Sequence, residues 1–358
     1  MLDVVVKNTE RFLLSVPKTK RKKYGQFFTN MSTAKFMASL FCFDRSKPCL
    51  EILDAGAGTG ILATAVIQKL IDDGYKGRIH VTCYETDDFV MPVLAENMRL
   101  STVLSNVTCS IKTDNYITSQ NFSNYTLFGG EDFHYDYIIG NPPYLKTSKD
   151  AIEALAMPEV CYGAPNLYFL FWAMGIHNLK EGQELVYIIP RSWTSGAYFK
   201  RFREYLFREC VLTDIHLFEK RDKVFDGESV LQETMIVKVK KTRVVPSAIN
   251  ITTSSTSDFK DISSFSAPYE TVVTKNHCVC VVTNSDDVNV LHTINHFSKT
   301  LPEINLKMQT GIIVDFRTRE VLRNELEEGA YPLLYAQHIR EGKIVWPLGK
   351  EGEVIKTE

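Results

Sequence analysis

The sequence predicts an α/β fold with a doubly wound, mostly parallel sheet, and three observations predict it. Apolar runs of strand length alternate with runs of helical apolar spacing from about residue 50 to residue 240. The glycine-rich stretch Asp54-Ala55-Gly56-Ala57-Gly58-Thr59-Gly60 falls between one such strand and the helix after it. Side chains able to hold a ligand recur where strands end, and ligands of open α/β sheets sit at the carboxyl ends of strands.

Residues 50–53 give the first strand. Residues 61–71 follow as a helix, with Ile61, Leu62, Ala65, Val66 and Leu70 on one face. Glycines on the turn between them remove the Cβ clash of a tight bend and let the backbone approach a ligand. Residues 79–84 read as the second strand, with Glu85 at its end. A carboxylate there can accept from both hydroxyls of a ribose. Residues 107–112 read as the third strand, closed by Asp114-Asn115. That carboxylate can accept from an adenine amino group.

Residues 135–139 read as the fourth strand, which runs into Asn141-Pro142-Pro143-Tyr144. Two prolines in tandem donate no backbone hydrogen bonds and fix φ, so the chain leaves the sheet in one rigid shape. That shape offers an amide side chain, free carbonyls and a flat ring, a set that can hold a planar base by its exocyclic amine. A helix at 166–179, a strand at 183–189, a helix at 196–210 and strands at 211–218 and 231–240 continue the alternation.

The ordered motifs resemble a known family. Gly25-Gln26-Phe27-Phe28-Thr29, then residues 54–60, Glu85, Asp114 and Asn141-Pro142-Pro143-Tyr144 look like the gamma class of DNA adenine-N6 methyltransferases from bacterial restriction–modification systems. The resemblance covers about residues 20–245. Asn30 stands where that family often has proline. The resemblance implies a seven-stranded methyltransferase sheet whose last strand is antiparallel, and S-adenosylmethionine as cofactor. It implies that Asp54, Gly56, Gly58 and Gly60 shape the cofactor loop, that Glu85 binds the ribose and Asp114 the adenine amine, and that Phe27 and Thr29 line the methionine side. It assigns catalysis to Asn141, Pro142 and Tyr144, and the faces of a flipped base to Pro143, Tyr144 and Phe225. Residues 162–171 match the helix after the catalytic loop, expected to support the pocket. Double-stranded DNA is the implied substrate, and a cognate restriction endonuclease a possible partner.

Two other functions meet part of the same pattern. An amino-methyltransferase acting on ribosomal RNA or a protein glutamine uses the same pair of acceptors; the Gln26-Phe27-Phe28-Thr29 segment and the long C-terminal extension argue against it. A non-catalytic nucleic-acid-binding module on a methyltransferase fold would not need the acids and the Asn-Pro-Pro-Tyr set intact.

Composition sets the remaining bounds. The 358 residues are 44% hydrophobic with a net charge of −2, ordinary for a globular chain of one large and one smaller part. Charge is uneven: residues 1–50 carry ten Lys or Arg against three acids, with Lys18, Lys20, Arg21, Lys22 and Lys23 in one cluster. Lys200-Arg201-Phe202-Arg203 is a second basic stretch. Such clusters can neutralise phosphates. The eight cysteines form no Cys-x-x-Cys pair, which argues against a zinc site or a disulfide framework. No apolar run reaches the length of a membrane span, about 18 residues, and no signal-peptide order opens the chain, so a bacterial cytoplasm is expected.

The expected organisation is a basic N-terminal arm at 1–23, a catalytic domain at 24–245, and a linker with connecting strands at 246–300. The Ser- and Thr-rich stretch 247–266 carries the linker reading. Residues 270–282, 311–315, 331–335 and 342–346 are short possible strands. Residues 301–358 are expected to begin a target-recognition domain that this chain does not complete. No nuclease carboxylate cluster stands out.

Overall fold

The computed structural model describes residues 1–16, 28–122, 135–219, 233–308, 320, 322, 328–329 and 331–348. The chain divides into two compact units, Met1–Ile294 and Asn295–Glu358.

The first unit begins with α1 (Leu2–Ser15), which buries Leu2, Val5, Val6 and Thr9. The expected N-terminal arm is therefore a packed helix over most of its length, because its apolar residues recur at helical spacing; the basic cluster at 18–23 lies outside the described residues. α2 (Met31–Ser39) starts where the Asn30 side chain accepts from the Thr33 amide at 2.8 Å, an N-cap bond. Then come β1 (Cys49–Ala55), α3 (Ile61–Asp72), β2 (Arg78–Tyr84), α4 (Met91–Ser101), β3 (Val107–Lys112) and β4 (Tyr135–Gly140). The short α5 (Ile152–Ala156) and the almost wholly buried α6 (Leu167–Asn178) precede β5 (Leu179–Pro190). α7 (Lys200–Glu209), β6 (Val211–Phe218) and β7 (Thr234–Lys240) follow.

The strands lie in the order β3-β2-β1-β4-β5-β7-β6, and β7 is antiparallel to both neighbours. Those seven strands match the expected methyltransferase sheet. The chain leaves β1 toward β2 and β3, then crosses to β4 on the other side of β1. Right-handed crossovers running in opposite directions put α3 and α4 on one face, and α6 and α7 on the other. The register aligns Ala55 with Tyr84, Tyr84 with Lys112, and Asp54 with Ile139, so the parallel strands end together. The crevice between β1 and β4 is thus a topological switch point.

The sheet does not stop at seven strands. β8 (Ala248–Ser254) pairs in parallel with β6, and β9 (Ser263–Pro268) pairs antiparallel with β8. The stretch expected to be a linker is this pair of strands. Ile249, Ile251 and Thr253 alternate inward, while Asn250, Ser263, Ser264 and Ser266 face outward, as on the rim of a sheet. The compact unit likewise runs past the expected boundary at 245, through α8 (Tyr269–Val272) and into α9 (Ser285–Asn295). Residues 270–282, expected as strands, hold most of α8 and an isolated bridge between Val273 and Val279. In the second unit Ile339–Arg340 and Lys343–Ile344 form a two-stranded antiparallel ladder. Residues 311–315 lie outside the described residues.

Candidate active site

A cavity of about 440 Å³ opens at the switch point. Its floor is the glycine-rich turn. The amides of Gly56 and Ala57 both donate to the carbonyl of Tyr84 at 2.9 Å, which ties the turn to the end of β2. Gly56, Gly58 and Gly60 all have positive φ, at 72°, 55° and 80°. A Cβ on Gly60 would be strained by its φ and would push aside the Met98 side-chain tip, 2.6 Å away. A Cβ on Gly56 would stand 3.6 Å from Phe171 Cε1 and 3.8 Å from Pro143 Cδ. The glycine turn and the proline turn therefore lie side by side in the cavity wall.

The acids take distinct places. Glu85 and Asp114 both line the cavity. The Glu85 carboxylate accepts from the amides of Gly58, Thr86 and Asp87 at 2.8–2.9 Å. Burial pushes its pKa up, and those amides offset only part of the rise. Asp54 does not line the cavity. It is fully buried beneath the turn, where its Oδ2 accepts from the Ala63 amide at 3.0 Å and holds the first turn of α3. Its Oδ1 has no hydrogen-bond partner among the described residues. Burial, helped by the nearby Glu85 charge, raises the Asp54 pKa to about 7 against the pull of that amide. Asp54 is thus a support of the loop rather than a wall of the pocket. Gly60 plays a similar part, as the N-cap of α3.

Of the proline turn, Asn141 and Pro143 reach the cavity. The Asn141 amide nitrogen donates to Thr29 Oγ1 at 3.2 Å, and Thr29 lines the cavity as expected. Pro142 and Tyr144 are not lining residues. Tyr144 is 8% exposed, its hydroxyl donates to the Ile188 carbonyl at 3.0 Å, and its ring meets Tyr168 edge-on. Phe27 and Phe225 lie outside the described residues.

The cavity also uses residues the sequence did not single out. Phe28, rather than only its neighbours, stands in the wall, with Tyr84, Phe89, Leu145, Leu167 and Phe171. Leu167 and Phe171 are four apart on α6, so that helix supplies part of the lining; their i, i+4 spacing was the available signal. Glu153 lines the rim and accepts from Asn115 Nδ2 at 2.9 Å. An apolar slot with a glycine floor and two carboxylates at successive strand ends fits a nucleoside carrying a short charged chain. Among the described residues no group of His, Cys, Asp and Glu could hold a metal ion. No helix there is long and apolar enough to cross a membrane.

Sheet order, switch-point cavity and strand-end acids define a methyltransferase that takes S-adenosylmethionine as its methyl donor. Residues 59–225 match the family model of the Eco57I restriction-modification methylases. The chain is 31% identical over 363 aligned positions to the Type II methyltransferase M.BsuBI of Bacillus subtilis, covering 99% of this chain and 72% of that protein. It is 32% identical to the Type II methyltransferase M.PstI of Providencia stuartii, covering 94% of this chain and 67% of that protein. The chain belongs to this family of restriction–modification DNA methyltransferases. The fold also resembles the type I restriction–modification methyltransferase subunit from Streptococcus thermophilus, with a TM-score of 0.51 at 17% identity, over 76% of this chain and 54% of that one. The matches that run over nearly the whole chain are to restriction–modification methyltransferases; the release factor glutamine methyltransferase of Fusobacterium nucleatum matches at 33% identity over 137 residues, 38% of this chain and 32% of that protein.

Proposed function

We propose that the chain methylates the N6 amine of an adenine flipped out of duplex DNA at a specific sequence. The observation that supports this reading best is the placement of Asn141 and Pro143 on the cavity wall beside the glycine turn. Glu85 and Asp114 hold the ribose and the adenine amine of the cofactor, Gly56 and Gly58 admit its methionine part, and Phe28, Thr29 and Phe171 close around it. The bound sulfonium supplies an activated methyl group and carries its own leaving charge.

The residues of this chain then act on the acceptor. Adenine N6 is a poor nucleophile because its lone pair is delocalised into the ring. The Asn141 side-chain oxygen and the Pro142 carbonyl accept its two hydrogens, draw the nitrogen toward tetrahedral geometry and offset the positive charge that develops. A base inside a duplex cannot reach such a pocket, so it must leave the stack. Tyr144, anchored through its hydroxyl to Ile188, is assigned to one face of the base and Phe225 to the other. Residues 301–358 are assigned to target recognition, with a cognate restriction endonuclease as the other half of the system.

A labelled methyl-transfer assay offering DNA, RNA and protein separately tests the reading. Label is expected in DNA alone. Label in RNA or protein with none in DNA would sink it.

A further inference from the structure

The catalytic amide is held by a part of the molecule outside the seven-stranded sheet. Asn141 donates from its amide nitrogen to Thr29 Oγ1, and Thr29 is only 7% exposed. The next residue, Asn30, uses both ends of its own amide. Its oxygen caps α2 through the Thr33 amide, and its nitrogen donates to Ser257 Oγ at 2.9 Å. Ser257 is 3% exposed and belongs to the connection between β8 and β9. Two residues on, Phe259 has a φ of 55°, and its ring stacks on Phe36 of α2 at 4.4 Å and 16°. The β8–β9 connection thus grips α2 by a polar contact at its cap and an aromatic contact along its side.

We propose that Thr29 is a positioning residue for the Asn141 amide, and that the β8–β9 connection keeps Thr29 in place through Ser257 and Asn30. This rests on the assignment of Asn141 as the acceptor for the target amine. A carboxamide has an accepting end and a donating end, and only the accepting end helps an amine substrate. With its nitrogen turned to Thr29 Oγ1, Asn141 presents Oδ1 to the base. Losing the Thr29 hydroxyl weakens that preference and lets the amide offer N–H groups to N6 more often, which repels the substrate's own hydrogens. Proline at position 30, common in the family resembled, carries neither side-chain bond.

The test is single-turnover methyl transfer to duplex DNA at saturating S-adenosylmethionine, with cofactor affinity by calorimetry and a melting curve for each variant. Thr29→Val should slow transfer by about tenfold or more, because small misplacements of a reacting group are costly. Thr29 also lines the cofactor side of the cavity, so cofactor affinity can fall as well, but the rate loss should persist at saturating cofactor, and Thr29→Ser should recover most of the lost rate. Ser257→Ala, remote from the cofactor, should slow transfer by about three- to tenfold with affinity within about threefold, and adding it to Thr29→Val should slow transfer little further, since the two act in one chain of contacts. Asn30→Ser keeps a capping oxygen but cannot reach Ser257, and should match Ser257→Ala if the latter melts low. Thr29→Val that weakens cofactor affinity but transfers at the normal saturated rate would overturn the inference, as would fully independent effects of the two sites. A wild-type rate for Asn141→Ala removes instead the reading on which the inference rests, and the inference with it.

Discussion

The two edges of the sheet carry the same kinds of charged side chain and use them in opposite ways. Where the parallel strands begin, buried charges are paired. Asp136 accepts from Lys47 at 2.7 Å, Lys180 at 3.2 Å and the Glu51 amide at 2.9 Å. Burial opposes its ionisation, but these donors outweigh it and hold its pKa below the usual value. Lys238 reaches Asp214 at 2.9 Å and Glu184 at 3.8 Å, and its pKa lies above the usual value despite burial. Where the strands end, Asp54, Glu85 and Asp114 make no salt bridge among the described residues. There burial wins, and the pKa values of Asp54 and Glu85 rise. Paired charge at one edge holds the fold; at the other, Glu85 and Asp114 on the cavity wall, without a cation, leave acceptors for a ligand.

The largest expected contrast comes from the proline turn. Asn141→Ala should reduce methyl transfer by at least about a hundredfold, the scale of losing one preorganised electrostatic contact. Its affinity for S-adenosylmethionine should be nearly unchanged, because the residue acts on the base. Equal loss of affinity and rate, read by calorimetry beside single-turnover kinetics, would break the division of labour.

The two edges can then be set against each other directly. Glu85→Ala should weaken cofactor binding by about ten- to a hundredfold, the equivalent of about 1.5–3 kcal/mol for a charged hydrogen bond. Asp136→Ala should leave that affinity alone and lower stability by about 1–2 kcal/mol, less than a deeply buried pair because both lysines are partly exposed. Denaturant titration and calorimetry on both variants would show a crossed pattern; a parallel one would dissolve the comparison.

The smallest effect is a pH slope. The folded state keeps a proton on Asp54 up to about pH 7, whereas the unfolded chain loses it near the ordinary 3.8. Between those values the folded state binds more protons, so the stability this group contributes falls as pH rises and levels off above about 7. Asp54→Asn should flatten that part of the profile, and melting temperatures across the window would show it. An unchanged slope would mean that the buried carboxyl is already ionised in the folded protein.

Much of the fold was legible because punctuation and periodicity agree. Glycines after 50–53, an acid after 79–84 and two prolines after 135–139 mark strand ends by backbone chemistry, and those ends converge in space. β8 and β9 were hidden because an outer strand needs only one apolar face, and Ser and Thr on the other face read as linker. Within the site, Glu85, Asp114, Gly56, Gly58, Asn141, Pro143 and Thr29 were legible as motif residues and do line the cavity. Asp54 and Gly60 were legible as members of the glycine-rich turn, but they act beneath it, a distinction that depends on side-chain burial. Phe28, Leu167 and Phe171 were passed over since aromatic and aliphatic residues are packing by default. The link from Ser257 to Asn30 joins residues more than two hundred positions apart, and no local pattern announces it.

The central claim is the identity of the methylated atom, and nucleoside mass spectrometry reads it directly. Duplex DNA is incubated with the full chain and isotopically labelled S-adenosylmethionine, then digested to nucleosides. Labelled N6-methyladenine, absent with Asn141→Ala, is the predicted result. Label on cytosine N4 or C5 instead, or equal N6-methyladenine from the Asn141→Ala variant, would contradict the account.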